Sequence, residues 1–188
     1  MKILKLITVF FSAAMLCAGN CKKPGNEEEQ LPPITQTGAN TFGCLINGKV
    51  WLPKGWDGQF PNSRITIDPT YVDGDLTVRT YRMDGDFRYS ITLSSDSIKN
   101  TGIYQIKSFS RCKFVYGKHA RDLSISYCSV DNGNGGGDPN NISGYLKITR
   151  YDLANRIFSG EFEITFNNID CGLGDPVSIT QGRFDYKL

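Results

Sequence analysis

Few side chains in this sequence have the type and spacing to do chemistry. A nucleophile–base pair needs an imidazole, and the chain holds a single histidine, His119, in the polar run Gly117-Lys118-His119-Ala120-Arg121. That run predicts a solvated turn. No G-x-S-x-G surrounds a serine and no H-E-x-x-H occurs, so the sequence encodes neither a hydrolase elbow nor a zinc-protease helix. Glycoside hydrolysis needs two carboxylates across a cleft. Asp73-Gly74-Asp75 and Asp84-Gly85-Asp86 offer pairs, but Asp and Gly at turn tips serve the backbone first. The Gly- and Asn-rich stretch 131–141 carries oxygen ligands, yet Gly133 and Gly135 stand where an EF-hand places ligands and no Glu closes it. The expectation is a protein that is not an enzyme, with no catalytic residue, no metal ligands and no cofactor.

The cysteines say more. Lys2 and Lys5 precede an apolar run over 6–16, followed by Ala18, Gly19, Asn20 and Cys21. The run has the length of a signal-peptide core and falls short of the ~20 residues that a spanning helix needs. Small residues ahead of Cys21 suit a lipoprotein signal peptidase, although Asn20 is large for the position. Cys17 follows Leu16 and lies inside the apolar run, which suits it less. Residues 1–20 are therefore expected to be a lipoprotein signal peptide and Cys21 the lipidated residue. The anchored domain would then lie outside the cytoplasm, with the membrane as partner through the lipid. The formal charge of the whole chain is +2. Cutting removes Lys2 and Lys5 and leaves the mature chain near neutral, with no field suited to nucleic acid.

The other four cysteines, Cys44, Cys112, Cys128 and Cys171, lack metal or redox spacing. An even number in an exported chain favours disulfides. Cys112 and Cys128 flank a predicted hairpin, so Cys112–Cys128 with Cys44–Cys171 is the preferred set among the three possible.

Aromatic residues gather in 49–71. Trp51, Trp56 and Tyr71, with Phe60 nearby, are the candidate binding residues. Trp56 sits in the loop-like run Pro53-Lys54-Gly55-Trp56-Asp57-Gly58. An exposed indole there would stack on a sugar ring or a partner protein. The more ordinary expectation is that it folds over one end of the core, because large aromatics are mostly buried. Asp96-Ser97-Ile98 resembles the acceptor for bacterial O-glycosylation, making Ser97 a candidate on a predicted exposed turn.

The elements that must position these residues read as short strands. Residues 21–40, rich in Pro, Gly, Glu and Thr, read as a flexible tether, and 41–188 as a single β domain. Asn47-Gly48 between apolar runs predicts a type I′ hairpin. Strands are predicted over 63–68, 76–83, 87–93, 103–109, 112–116, 123–128, 142–151, 157–166 and 177–188. The clearest is 157–166, where Phe158, Gly160, Phe162, Ile164 and Phe166 share one face. Parity changes between Ile179 and Phe184, which predicts a β-bulge at Gly182. About ten strands with turn residues between them and no amphipathic helix make an all-β fold, an antiparallel sandwich or barrel with mostly meander connections.

Two sequence stretches carry a family resemblance. Phe42-Gly43-Cys44-Leu45-Ile46-Asn47-Gly48-Lys49-Val50-Trp51 opens the domain. Ser159-Gly160-Glu161-Phe162-Glu163-Ile164-Thr165-Phe166 and Ile179-Thr180-Gln181-Gly182-Arg183-Phe184-Asp185 close it. These motifs resemble an uncharacterised lipoprotein family of the Bacteroidota, and the acidic cluster Glu27-Glu28-Glu29 resembles the surface-export signal of such lipoproteins. The resemblance implies an exported all-β lipoprotein on the outer membrane, at its periplasmic or cell-surface face. It brings no site residues. The function expected is non-catalytic binding of a glycan or an envelope protein. The alternative is a small-ligand carrier with a pocket inside a closed barrel. A filled core with exposed aromatics near Trp56 would favour the first, and an aromatic-lined interior pocket the second.

Overall fold

The computed structural model describes residues 29–56, 58–70, 74–95, 97–106, 112–120, 123–129, 142–167 and 176–188, with the backbone alone for 112–120 and 123–129. The signal segment, Cys21, Tyr71, Asp73, Asp96, the stretch 131–141 and Cys171 lie outside them.

Among the described residues, eleven strands form two antiparallel sheets packed as a sandwich. They are β1 (Thr41–Ile46), β2 (Lys49–Trp51), β3 (Ser63–Asp68), β4 (Asp75–Asp84), β5 (Phe87–Ser95), β6 (Gly102–Ile106), β7 (Cys112–Ala120), β8 (Leu123–Ser129), β9 (Ile142–Asp152), β10 (Ile157–Phe166) and β11 (Val177–Lys187). One sheet runs β2-β1-β11-β10-β9-β6 and the other β3-β4-β5-β7-β8. Meanders make up most of both, as the turn spacing predicts. Three pairings depart from it: β1 lies against β11, joining the two ends of the domain, β6 leaves its sequence neighbours to pair with β9, and β5 pairs with β7 in its place.

Local sequence explains the turns. Asn47 and Gly48 have φ of 48° and 78°, the left-handed pair a type I′ hairpin needs. The β4–β5 turn falls on Gly85-Asp86, one residue later than Asp84-Gly85 suggests, since Asp84 still pairs with Phe87. The predicted bulge is present and displaced by one residue. Phe162 pairs with Gly182 and Ile164 with Ile179, so β11 carries the extra residue, and Gln181 takes the left-handed conformation at φ 51°. Gly182 is needed for space instead: an added Cβ would lie 2.5 Å from the Phe162 ring.

The space between the sheets is filled. Phe42, Trp51, Phe158, Phe162, Phe166, Phe184 and Tyr186 come from the first sheet and meet Ile65, Leu76, Val78, Ile91 and Leu93 from the second. Phe158, Phe162 and Phe166 are all under 2% exposed. The Ser63 hydroxyl and the Tyr186 phenol hydrogen-bond between the sheets.

Two expectations need correction. Residues 29–40 are not a free tether. Asp185, on the outer face of the first sheet, accepts hydrogen bonds from Thr35 Oγ1 and from the backbone N–H groups of Thr37, Gly38 and Ala39. Ser159, its partner across β10–β11, donates to it as well. Arg150 and Arg183 donate to the carbonyls of Gln36 and Pro32, and Glu29 pairs with Lys54 and Arg82. The segment thus roofs the outer sheet face, leaving Asp185 only 1% exposed. Burial alone would raise the pKa of the Asp185 carboxyl. The hydrogen bonds from Ser159, Thr35, Ala39 and Gly38 outweigh it and hold the pKa down at about 2.

The disulfide pairing is the second. Cys44 is a free thiol, fully buried in the core, and Cys171, its expected partner, lies outside the described residues. Cys128 pairs with Tyr116, four positions along β7 from Cys112. That offset is about 13 Å at the strand rise, well beyond the reach of a disulfide.

Candidate functional site

The chain between β2 and β3 crosses the end of the second sheet as a loop, residues 54–62, and Tyr81 fixes both its ends. The Tyr81 carbonyl accepts from Lys54 N (3.2 Å), and its N–H donates to the Asn62 carbonyl (2.8 Å). Its phenol donates to the Phe60 carbonyl at 2.7 Å. Thr80 Oγ1 donates to the Asn62 carbonyl and Asn62 Nδ2 to the Gly55 carbonyl, closing the loop at its neck. Hydrogen bonds close the base, and two aromatic rings of the loop are exposed. Trp56 is 63% and Phe60 51% exposed.

Beside this loop, the outer face of the second sheet forms a groove of about 190 Å³, lined by Phe60, Arg64, Arg79, Arg88, Ser90 and Thr92 among others, with no carboxylate among the described lining residues. Period-two alternation creates the lining. Ile65, Val78, Ile91 and Leu93 point into the core, so their neighbours Arg64, Arg79, Ser90 and Thr92 point outward. Register then lines them up: Arg64 faces Arg79, Arg79 faces Thr92, and Tyr81 faces Ser90. The Arg64 guanidinium lies 5.0 Å from the centre of the Phe60 ring, and that of Arg88 lies 5.9 Å from the centre of Tyr81. Among the described residues, neither Arg64 nor Arg79 has an ion-pair partner. A groove of paired cations, hydroxyls and a half-exposed ring offers charge, hydrogen bonds and a stacking surface. Its described lining residues include no nucleophile–base pair.

The residues singled out from the sequence fall in different places. Trp56 is exposed, against the expectation that it folds over the core. Gly55 lies against Met83 and directs the next residue outward: an added Cβ at Gly55 would be 2.8 Å from Met83 Cβ. Trp51 does the reverse. It is buried, edge-on to Phe42 at 5.9 Å, with its indole N–H lacking an acceptor among the described residues. Trp51 is thus a core residue. Tyr71 lies outside the described residues. Ser97 is half-buried rather than on an exposed turn. Its hydroxyl sits 3.2 Å from that of Ser95, and Ile98 beside it is fully buried. His119 is not in a turn but within β7, paired in register with Arg88. Among the described residues, no helix is long and apolar enough to cross a membrane.

The arginine row was missed in the sequence because its members lie 15 and 9 residues apart, at Arg64, Arg79 and Arg88. Alternation marks each as outward-facing, but only the β3–β4 register puts two of them opposite each other. No family model matches the chain, and neither a curated protein nor a solved structure matches it.

Proposed function

We propose that this chain is an envelope lipoprotein, anchored through Cys21 on the outer membrane, whose domain binds a glycan without catalysis on the face formed by loop 54–62 and the adjoining sheet. The observation that carries the binding reading is the exposure of Trp56 and Phe60 on a loop closed at its neck by Tyr81 and Asn62. Flat apolar rings held at low entropic cost suit the apolar faces of sugar rings, and the adjacent Ser90 and Thr92 supply hydroxyls. The filled sandwich supports this reading over an interior carrier, because the aromatic space between the sheets is occupied by side chains. Lipidation and envelope location rest on the signal segment, on Cys21 and on the family resemblance of the motifs at both ends of the domain.

The test is a glycan array probed with the domain and with Trp56→Ala and Phe60→Ala. Loss of one stacking ring is expected to weaken binding roughly 2- to 12-fold. Failure of the wild type to retain any glycan would remove the carbohydrate reading. Mass spectrometry of the membrane-extracted N-terminus tests the anchor: a first peptide beginning elsewhere than lipidated Cys21 would refute it.

A further inference from the structure

From the Arg64–Arg79 pair we infer that the glycan carries an oxyanion, as a carboxylated or sulfated sugar does; this rests on the reading of the face as glycan-binding. Arg64 and Arg79 are direct cross-strand partners on the outer face of β3 and β4. Directly opposed residues hold their Cβ atoms about 5 Å apart, and like charges so placed destabilise a sheet. Neutralising acids are the ordinary remedy, and none is among the described residues that line the groove. Arg88, two positions before Ser90 on β5, adds a third cation. An oxyanion between Arg64 and Arg79 receives N–H donors from both sides, in the fork geometry that favours guanidinium over ammonium for carboxylate and sulfate. Phe60 lies over Arg64 on one side and is half-exposed on the rest of its surface. A sugar ring bearing the anion can therefore rest on Phe60 while its hydroxyls reach Ser90 and Thr92. The groove has room for about six waters, comparable to one such ring.

Calorimetric titration of the intact domain separates the possibilities. The ligands are oligogalacturonate, a sulfated galactan oligosaccharide, a neutral galactan oligosaccharide of equal length, and oligoglutamate. An acidic oligosaccharide, carboxylated or sulfated, should bind at least tenfold tighter than the neutral one, and the advantage should shrink as salt rises. Whichever acidic form binds better identifies the oxyanion. Arg79→Gln should remove at least tenfold of that affinity and weaken neutral binding by a much smaller factor. Thermal melting of Arg79→Gln serves as the folding control. Equal binding of neutral and acidic oligosaccharides, weakened by Trp56→Ala, overturns the inference and keeps the glycan reading. Oligoglutamate binding as tightly, with the same Arg79 dependence, overturns both, and so does the absence of binding to every ligand.

Discussion

Arg64 and Arg79 face each other across the β3–β4 ladder with no carboxylate partner among the described residues. The fold tolerates this repulsion because both side chains reach toward solvent from a face whose opposite side is well packed. The pair therefore has a stability signature independent of any ligand. Arg79→Gln is expected to stabilise the domain by about 0.5 kcal/mol at low ionic strength. The gain should vanish in high salt. Urea unfolding of both proteins at two salt concentrations checks it, and a loss of stability at low salt would contradict it.

Asp185 should matter far more. Its carboxylate collects donors from Ser159, Thr35 and three backbone groups of the N-terminal segment. Asp185→Ala strands those donors under the roof of residues 35–39, and a loss of about 3 kcal/mol is expected. Denaturant unfolding measures it.

The same carboxylate gives the stability a pH dependence. Its folded pKa is lowered from 3.8 to about 2. A depressed carboxyl pKa contributes stability that is fully present above the unfolded value and is lost as pH falls through the folded one. Between about pH 4 and pH 2 the wild type should therefore lose about 2 kcal/mol through this group. Asp185→Asn should lack that component, so the two curves converge toward pH 2. Parallel curves over that window would refute the assignment.

Cys44 is predicted to be inert. It is fully buried, and burial pushes its thiol up to about 12. The thiolate is the reactive form, so iodoacetamide at pH 8.5 should leave Cys44 unlabelled in the folded protein and label it in urea. A non-reducing digest should release the Cys44 peptide with no partner. A cross-linked peptide would restore the disulfide expected from cysteine count.

Two cross-strand pairs of β10 and β11 are reciprocal. Gly160 faces Phe184, and Phe162 faces Gly182, so each ring lies over the opposite glycine. Phe162 is fully buried and has no room to swing aside. Gly182→Ala is expected to cost about 1–3 kcal/mol through overpacking, read from the urea midpoint.

Period-two patterning made most of the fold legible. Ser63–Asp68 and Ile157–Phe166 match their predicted bounds, because each strand has one dry face that fixes its phase. Cross-sheet relations were not legible. Nothing local in Thr35 to Ala39 marks them as structured, since their partner Asp185 is about 150 positions away. A wet-looking Asp between Phe184 and Tyr186 reads as a solvent-facing residue, and only the covering segment buries it. Cysteine parity misled for a similar reason: an even count says nothing of register, and Cys44 on the core face of β1 packs as a small apolar side chain. Within the candidate site, the aromatics were visible in composition, and the arginine row awaited the register that brings it together.

The docking of residues 29–40 also sets how far the domain can stray from its attachment. From the lipidation proposed at Cys21 to Phe42, an extended chain would reach about 70 Å. With Glu29 held to Lys54 and Arg82, the distance from Cys21 to the domain is bounded by the covalent chain from Cys21 to Glu29, at most about 28 Å. Glu29 itself lies beside Lys54, at the neck of the loop carrying Trp56. The lipid would then hold this end of the sandwich close to the bilayer. With the anchor proposed at Cys21, a ligand would have to approach the groove close to the membrane surface.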